Sequence, residues 1–501
     1  MSDTSVVVVG GGPSGLVVAS ELALAGVDVV VVERRTDVVQ SRAGTILPRV
    51  LELLDSRGLA QQFIDASAEI VPRPLFRSHM WAGMKPVHWS HLDSRHGYRL
   101  VLPQNRTEEL LVKHAEEAGV TFRRGWTVTN VEQDDGGVAV TMCDEAGSTA
   151  ELSAAYVVGC DGGRSVVREK SGIAFEGHAP TFTGIVADLV MDNPWPEGRR
   201  IVGNDRGWLA SFPFGEGITR FNLVHAERMH ADVHAEVTLE EVRRCLREIL
   251  GTDLTFDTLH WASRFSDHTR IADRFVSGRV ALVGESSRIH YPASGVGMNF
   301  CIQDGFNLGW KLAAVVNGHA APDLLASYAD ERRPIAEALL RSVAAQCALQ
   351  FSFTPDAMAV KEWFESTILP LPEVNRRLAL ELNGLATAYP APESAGPLAG
   401  WRLPDVEFQL ADRVTTAGEL LRDQRMVALD LTGGGLLDGL AFEEAPVMVA
   451  TAVPVRAPAP LAGASAVLVR PDGYVAWSSH RSDVGPDDVR REIERWLAFA
   501  C

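Results

Sequence analysis

The chain opens on an unbroken apolar run, Ser5-Val6-Val7-Val8-Val9, with no polar alternation. Such a run predicts a strand buried on both faces, as in a parallel sheet. A second run, Asp28 to Val32, repeats the pattern and closes on Glu33. Between them Leu16 to Ala25 reads as a helix that Gly26 ends, so a βαβ unit is predicted. The link Gly10-Gly11-Gly12-Pro13-Ser14-Gly15 satisfies G-x-G-x-x-G. Glycines there let the backbone approach a diphosphate seated on the N–H groups of a helix start. An acid at position 33 accepts hydrogen bonds from a ribose diol and argues against a 2′-phosphate in that pocket. The unit predicts dinucleotide binding and leaves NAD and FAD both open.

Further along, Pro48 to Leu59 is amphipathic and ends at Arg57-Gly58. Residues 71–100 lack clear periodicity. Glu108 to Ala118 reads as a helix with Thr107 as its N-cap. Val120 to Val140 alternate as strands around a turn at 134–137, and Tyr156-Val157-Val158 is another buried strand. Residues 178–275 change character: short strands carry aromatics with Pro and Gly between them, and one helix, Leu239 to Leu250, interrupts. This predicts an antiparallel sheet as a second layer. A buried strand returns at 279–283, followed by a helix from Asn299 to Val316 and more helix to about residue 384. Pro390 to Gly400 reads as a linker. The last hundred residues alternate short strands with a tight turn at Pro471-Asp472-Gly473 and finish in a helix, Pro486 to Phe499.

Composition narrows the classes. With 501 residues, 46% hydrophobic and 22% charged, the chain is an ordinary multi-domain globular protein. A net charge of −18 disfavours nucleic acid as a partner. The six cysteines form no C-x-x-C and no metal-ligand grouping, which suits a reducing cytosol and predicts no metal. The first strand begins within five residues, so no signal peptide is expected, and no apolar run is long enough to span a bilayer. The expected location is cytoplasmic, as a monomer or homodimer.

Three glycine-bearing turns follow three buried strands: 10–15, 159–165 and 284–297. A simple NAD dehydrogenase needs only the first. Asp161-Gly162 and Gly284-Glu285 each place an acid at a strand end, and Pro292 to Asn299 feeds a helix start that can stabilise negative charge. These segments resemble the group A flavoprotein aromatic hydroxylases, the FAD-dependent family typified by para-hydroxybenzoate hydroxylase. Within it, the likeness is to the polyketide-tailoring branch with a thioredoxin-like C-terminal domain. The family's long G-D-A-A-H motif corresponds to Gly284 to Leu312, and its tail, Asn299 to Leu312, is close to verbatim.

The resemblance implies a Rossmann-like FAD-binding domain (1–177 and 276–390), an interleaved antiparallel-sheet substrate domain (178–275, with about 72–100 contributing) and a thioredoxin-like domain (398–501). FAD would contact Gly10, Gly12, Pro13, Ser14, Gly15, Glu33, Arg34, Arg42, Gln104, Val128, Asp161, Gly162, Glu285, Pro292, Gly295, Val296, Gly297, Met298 and Asn299. NAD(P)H would reduce it, O2 would form a C4a-hydroperoxyflavin, and one oxygen atom would pass to an aromatic polyketide or a related polycyclic phenol. Arg42, His290 and Pro292 are the catalytic candidates, His290 being the nearest candidate in sequence for a general base. Trp208, Phe212, Pro213 and Phe214 would wall the substrate pocket; ordinary core packing is the competing reading. Four positions depart from the family pattern: Glu285 for Asp, Arg288 for His, Ser294 for Gly and Val296 for Gln. A Baeyer–Villiger oxidation or an oxygen-independent flavin dehydrogenation remains an alternative on the same scaffold. The W-x-W-x-I-P segment of flavin halogenases is missing from the sequence. The C-terminal region has no C-x-x-C, so packing rather than redox is expected of it.

Overall fold

A computed structural model describes residues 2–37, 43–70, 75–191, 195, 200–215, 217–256, 258–442, 446–481 and 484–497. Five parallel strands form the spine of the largest sheet, in the order Val280–Leu282, Thr149–Gly159, Thr4–Val9, Val29–Glu33, Thr121–Arg124. Val6, Val7, Val8 and Val31 are fully buried, as their unbroken apolar runs require. The helices Pro13–Leu24 and Gly297–Val316 pack directly on each other, Gly305 against Val17 and Gly309 against Glu21. Both start earlier than their apolar periodicity suggests, because a Pro or Gly at the helix start is invisible to that pattern.

A second sheet is antiparallel, in the order Arg200–Asn204, Gly207–Gly215, Ile218–His225, Thr183–Val190, Leu259–Ser266. The helix Leu239–Leu250 lies against its outer face, capped by the Thr238 hydroxyl and ended by left-handed Gly251. A small antiparallel sheet of Phe175–His178, Thr269–Ala272 and Arg288–Ile289 ties the two layers together. The C-terminal sheet runs Val447–Thr451, Met426–Asp430, Ala466–Val469, Val475–Ser479, its first pair parallel and the rest antiparallel. With the helix Pro486–Trp496 this is the expected thioredoxin-like layout.

Several local expectations are corrected. The helix from Pro48 stops at Asp55, and a separate helix, Ala60–Ile70, follows left-handed Gly58. Thr107 is no N-cap: the helix starts at Gln104 behind Pro103, and Thr107 is buried inside it. Residues 390–400 are no free linker. Tyr389 N–H donates to Gly400 O, Gly400 N–H donates to Val475 O, and Ala395, Leu398 and Ala399 are buried. Small residues and proline there allow close docking, which composition alone does not separate from flexibility. No described helix is long and apolar enough to cross a membrane.

Candidate active site

One cavity of about 1560 Å³ runs from the glycine loop to the antiparallel sheet. Drug-sized ligands fill about 300–1,000 Å³, so there is room for a dinucleotide and a second molecule. Of the expected cofactor residues, Gly10, Gly12, Pro13, Ser14, Glu33, Arg34, Gln104, Val128, Asp161, Gly162, Glu285, Pro292, Gly295, Gly297 and Met298 line it. Positions up to 288 residues apart in sequence therefore share one wall. Arg42 lies outside the described residues.

The glycine loop divides its labour. Gly10 has φ +107°, and a Cβ on it would stand 2.3 Å from Cys160 O. A Cβ on Gly15 would stand 2.0 Å from Gly10 O. Gly15 is thus a packing glycine beneath the wall, not a lining one. Gly12 has nothing within 4 Å of its Cβ position. The helix behind it has no side-chain cap and no acid in its first turn, so its initial N–H groups are available to an anion. Glu33 accepts from Gly11 N–H at 2.6 Å and from Arg35 N–H and Nε–H at 2.9 Å. Burial opposes its charge; the bonds from Arg35 and Gly11 outweigh burial and keep its carboxyl below the usual range. Arg35, which sequence reasoning passed over for Arg34, is the arginine that grips Glu33.

Asp161 accepts through Oδ2 from Val166 N–H (2.7 Å) and Val167 N–H (3.2 Å), holding a short helix. Its Oδ1 is buried at the wall with no partner, and burial pushes its carboxyl up. An orphaned buried acceptor beside an open glycine loop fits the hydroxyl-rich, diphosphate-bearing part of FAD. Arg168 donates to Ser286 O and Gly163 O and so ties the Asp161 loop to the Glu285 turn.

At the far end of the groove the turn 292–298 leads into Gly297–Val316, whose N-terminus also lacks a side-chain cap. Pro292, Gly295 and Met298 face the cavity, whereas Val296 and Asn299 do not. Val296 is buried in an apolar cluster with Phe300 and Leu47. Asn299 accepts from Leu47 N–H (2.7 Å) and donates to Thr45 O (3.0 Å). It fixes the segment that carries Thr45, a cavity residue with no sequence signal.

His290 sits in the wall, its Nδ1–H donated to Tyr291 O at 2.7 Å. Burial lowers its pKa to about 4. The ring is therefore neutral at physiological pH, with its Nδ1–H committed to the Tyr291 carbonyl. His79 donates from Nε2 to Ser294 O (2.6 Å) and lines the wall, whereas His225 pairs with Glu248 away from it.

The antiparallel sheet closes the cavity. Ile201, Ala210, Asn222, Val186 and Ser263 are register partners across all five strands, and all five line it. Trp208, Phe212 and Pro213 join them, and Trp208 Nε1–H donates to Gly83 O at 3.1 Å. Phe214 does not line it: the Arg220 guanidinium, paired with Asp188, lies 3.7 Å over its ring. Asn222 and Ser263 went unremarked in the sequence; the available signal was a polar residue breaking the inward face of an alternating strand.

Comparison with known proteins agrees with this geometry. The FAD binding domain profile matches residues 3–343, and the aromatic-ring hydroxylase C-terminal profile matches residues 396–500. A 12-dehydrotetracycline 5-monooxygenase/anhydrotetracycline 6-monooxygenase of Streptomyces rimosus is 38% identical over 98% of both chains. A rifampicin monooxygenase of Streptomyces venezuelae is 36% identical, over 94% of this chain and 95% of that one. A solved anhydrotetracycline hydroxylase from Streptomyces rimosus superposes with a TM-score of 0.89 at 37% identity, covering 99% of this chain and all of that one. A groove built for FAD, opening onto a sheet-walled chamber, and matches that span both ends of the chain lead to one assignment: this protein belongs to the FAD-dependent aromatic-ring hydroxylases, a family of flavoprotein monooxygenases.

Proposed function

We propose that this protein hydroxylates a polycyclic aromatic polyketide, or a related polycyclic phenol, with FAD, NAD(P)H and O2. The observation that carries this reading is the single cavity joining the glycine loop to the Ile201–Ala210–Asn222–Val186–Ser263 face. When bound, FAD supplies the redox chemistry, taking a hydride from NAD(P)H and handing one atom of O2 to the substrate ring. In this reading residues 1–177 and 276–390 hold the cofactor, 178–275 cover the substrate, and 398–501 brace the first unit.

The chain's residues do the rest. The glycine loop and the first N–H groups of Pro13–Leu24 hold the diphosphate, and Glu33 and Asp161 accept from hydroxyl groups. The uncapped start of Gly297–Val316 favours negative charge at its end of the groove. Trp208, Phe212 and Ile201 keep water from the reacting atoms and present a flat apolar wall. Asn222 and Ser263 offer hydrogen bonds to carbonyl or hydroxyl groups on a fused-ring substrate.

The test is aerobic NAD(P)H oxidation by the FAD-loaded protein with a panel of fused-ring phenols, using 18O2. Substrate-dependent NAD(P)H consumption with one 18O in a ring-hydroxylated product supports the reading. Turnover without 18O overturns it, and 18O in a lactone moves the assignment to ketone oxidation.

A further inference from the structure

Among the described residues only three that are not glycine adopt a left-handed backbone, and two of them meet at one side-chain atom. Ala82 has φ +48° and Ser294 has φ +52°. Gln346, on the last turn of the helix Ala326–Gln350, brings them together. Its Oε1 accepts from Ala82 N–H at 3.2 Å and from the Ser294 hydroxyl at 2.9 Å. Met80 O, 3.1 Å from Ser294 Oγ, is the alternative acceptor for that one hydroxyl proton. The Ser294 carbonyl is held separately by His79. Ala82, Ser294, Gln346 and His79 are buried, Gln346 to 3% exposure, and Met80 is half-buried.

Each left-handed residue bearing a Cβ costs free energy that glycine would not. Such conformations persist where the surroundings over-determine them. The strained serine stands where the family pattern has glycine, in the turn that carries the chain from Pro292 into the uncapped helix Gly297–Val316. Gly295 N–H folds back on Pro292 O and Val296 N–H on Ala293 O, so the turn is closed on itself. What orients it against the cavity is its outward tether to Gln346, Met80 and His79.

Resting on the FAD reading above, we propose that Gln346 is a positioning residue. Through Ser294 it holds the 292–298 turn so that the first-turn amides of Gly297–Val316 face the flavin ring. Gln346 does not line the cavity, so its effect passes through the turn. Replacing Ser294 by glycine makes the tether redundant, because glycine adopts φ near +52° unaided.

The experiment compares the wild type with Gln346→Leu, Ser294→Gly and the double variant, all loaded with FAD. The readouts are the two-electron reduction potential of the bound flavin and its visible spectrum. Gln346→Leu is expected to disfavour reduction about tenfold, a shift of about 30 mV for two electrons, and to alter the spectrum. In the Ser294→Gly background the same substitution is expected to move the equilibrium less than twofold. Ser294→Ala, which removes the hydroxyl but keeps the Cβ, should follow Gln346→Leu and serves if that variant fails to fold. An unchanged potential in Gln346→Leu and Ser294→Ala overturns the proposal, as does an equal shift in both backgrounds, which marks generic packing. A wild type that refuses FAD overturns the cofactor reading itself before any variant is compared.

Discussion

At the scale of single residues, the glycine loop separates folding from binding. Gly15 and Gly12 belong to the same motif, yet a Cβ meets backbone at 2.0 Å on one and open space on the other. Gly15→Ala forces the strand-to-helix turn apart and is expected to lower apoprotein stability by about 1–3 kcal/mol. Gly12→Ala replaces a tolerated N-cap and costs the apoprotein no more than about 1 kcal/mol. Its methyl group enters the groove, so FAD affinity is expected to fall at least tenfold, about 1.4 kcal/mol. Denaturant unfolding of both apoproteins and fluorescence titration with FAD check the pair; a Gly12→Ala protein that binds FAD normally removes the loop from the cofactor site. The motif's spacing was legible in the sequence, but the two roles were not. The 2.0 Å contact on Gly15 is with Gly10 O of the same loop, and Cys160, just past the strand Thr149–Gly159, stands 3.1 Å from the same Cβ position, so the two roles depend on how the loop folds back on itself and on that strand end.

At the scale of elements, the strands and long helices were readable because each buries a continuous apolar face, and the period of that face is in the sequence. What escaped were contacts between elements. Asn299 was expected at the flavin because it ends a familiar motif, yet its amide spans Leu47 N–H and Thr45 O and never reaches the cavity. Gln346 was missed for the same reason: its partners Ala82 and Ser294 become neighbours only after folding, whereas Arg35 stands two residues from Glu33 and was passed over for the adjacent Arg34. Asn299→Ala strands two buried backbone groups and is expected to cost about 1–3 kcal/mol. Because those groups position the Thr45 segment in the wall, FAD affinity should fall together with apoprotein stability. That joint loss distinguishes it from Gly12→Ala in the same two assays.

At the scale of the whole molecule, the C-terminal unit is bound to the cofactor unit by buried charge rather than by an apolar seam alone. Glu331 accepts from Arg470 through both oxygens (2.6 and 2.9 Å), from Lys311 (2.8 Å) and from Asn307 (2.7 Å). Arg470 also pairs with Asp472, whose carbonyl accepts from Arg49, and its guanidinium lies within 6 Å of the Trp310, Tyr389, Tyr474 and Trp496 rings. Burial opposes the charge on Glu331, but Arg470 and Lys311 outweigh it and hold the pKa down to about 2, while burial brings Lys311 down to about 8. Removing one partner of such a group leaves the others charged and uncompensated. Glu331→Gln is therefore expected to destabilise the protein by about 3–5 kcal/mol, read as a lower denaturant midpoint at neutral pH. The pH dependence follows from the direction of the shift. The carboxylate titrates near 4.5 when unfolded and near 2 when folded, so below 4.5 the unfolded chain binds the extra proton. The stability Glu331 contributes is complete above pH 4.5 and drains away as the pH falls toward 2. Unfolding midpoints measured through that window should drop more steeply for the wild type than for Glu331→Gln, the two curves converging at the acid end. Parallel curves would show that Glu331 is not the charge on which the docking of the C-terminal unit depends.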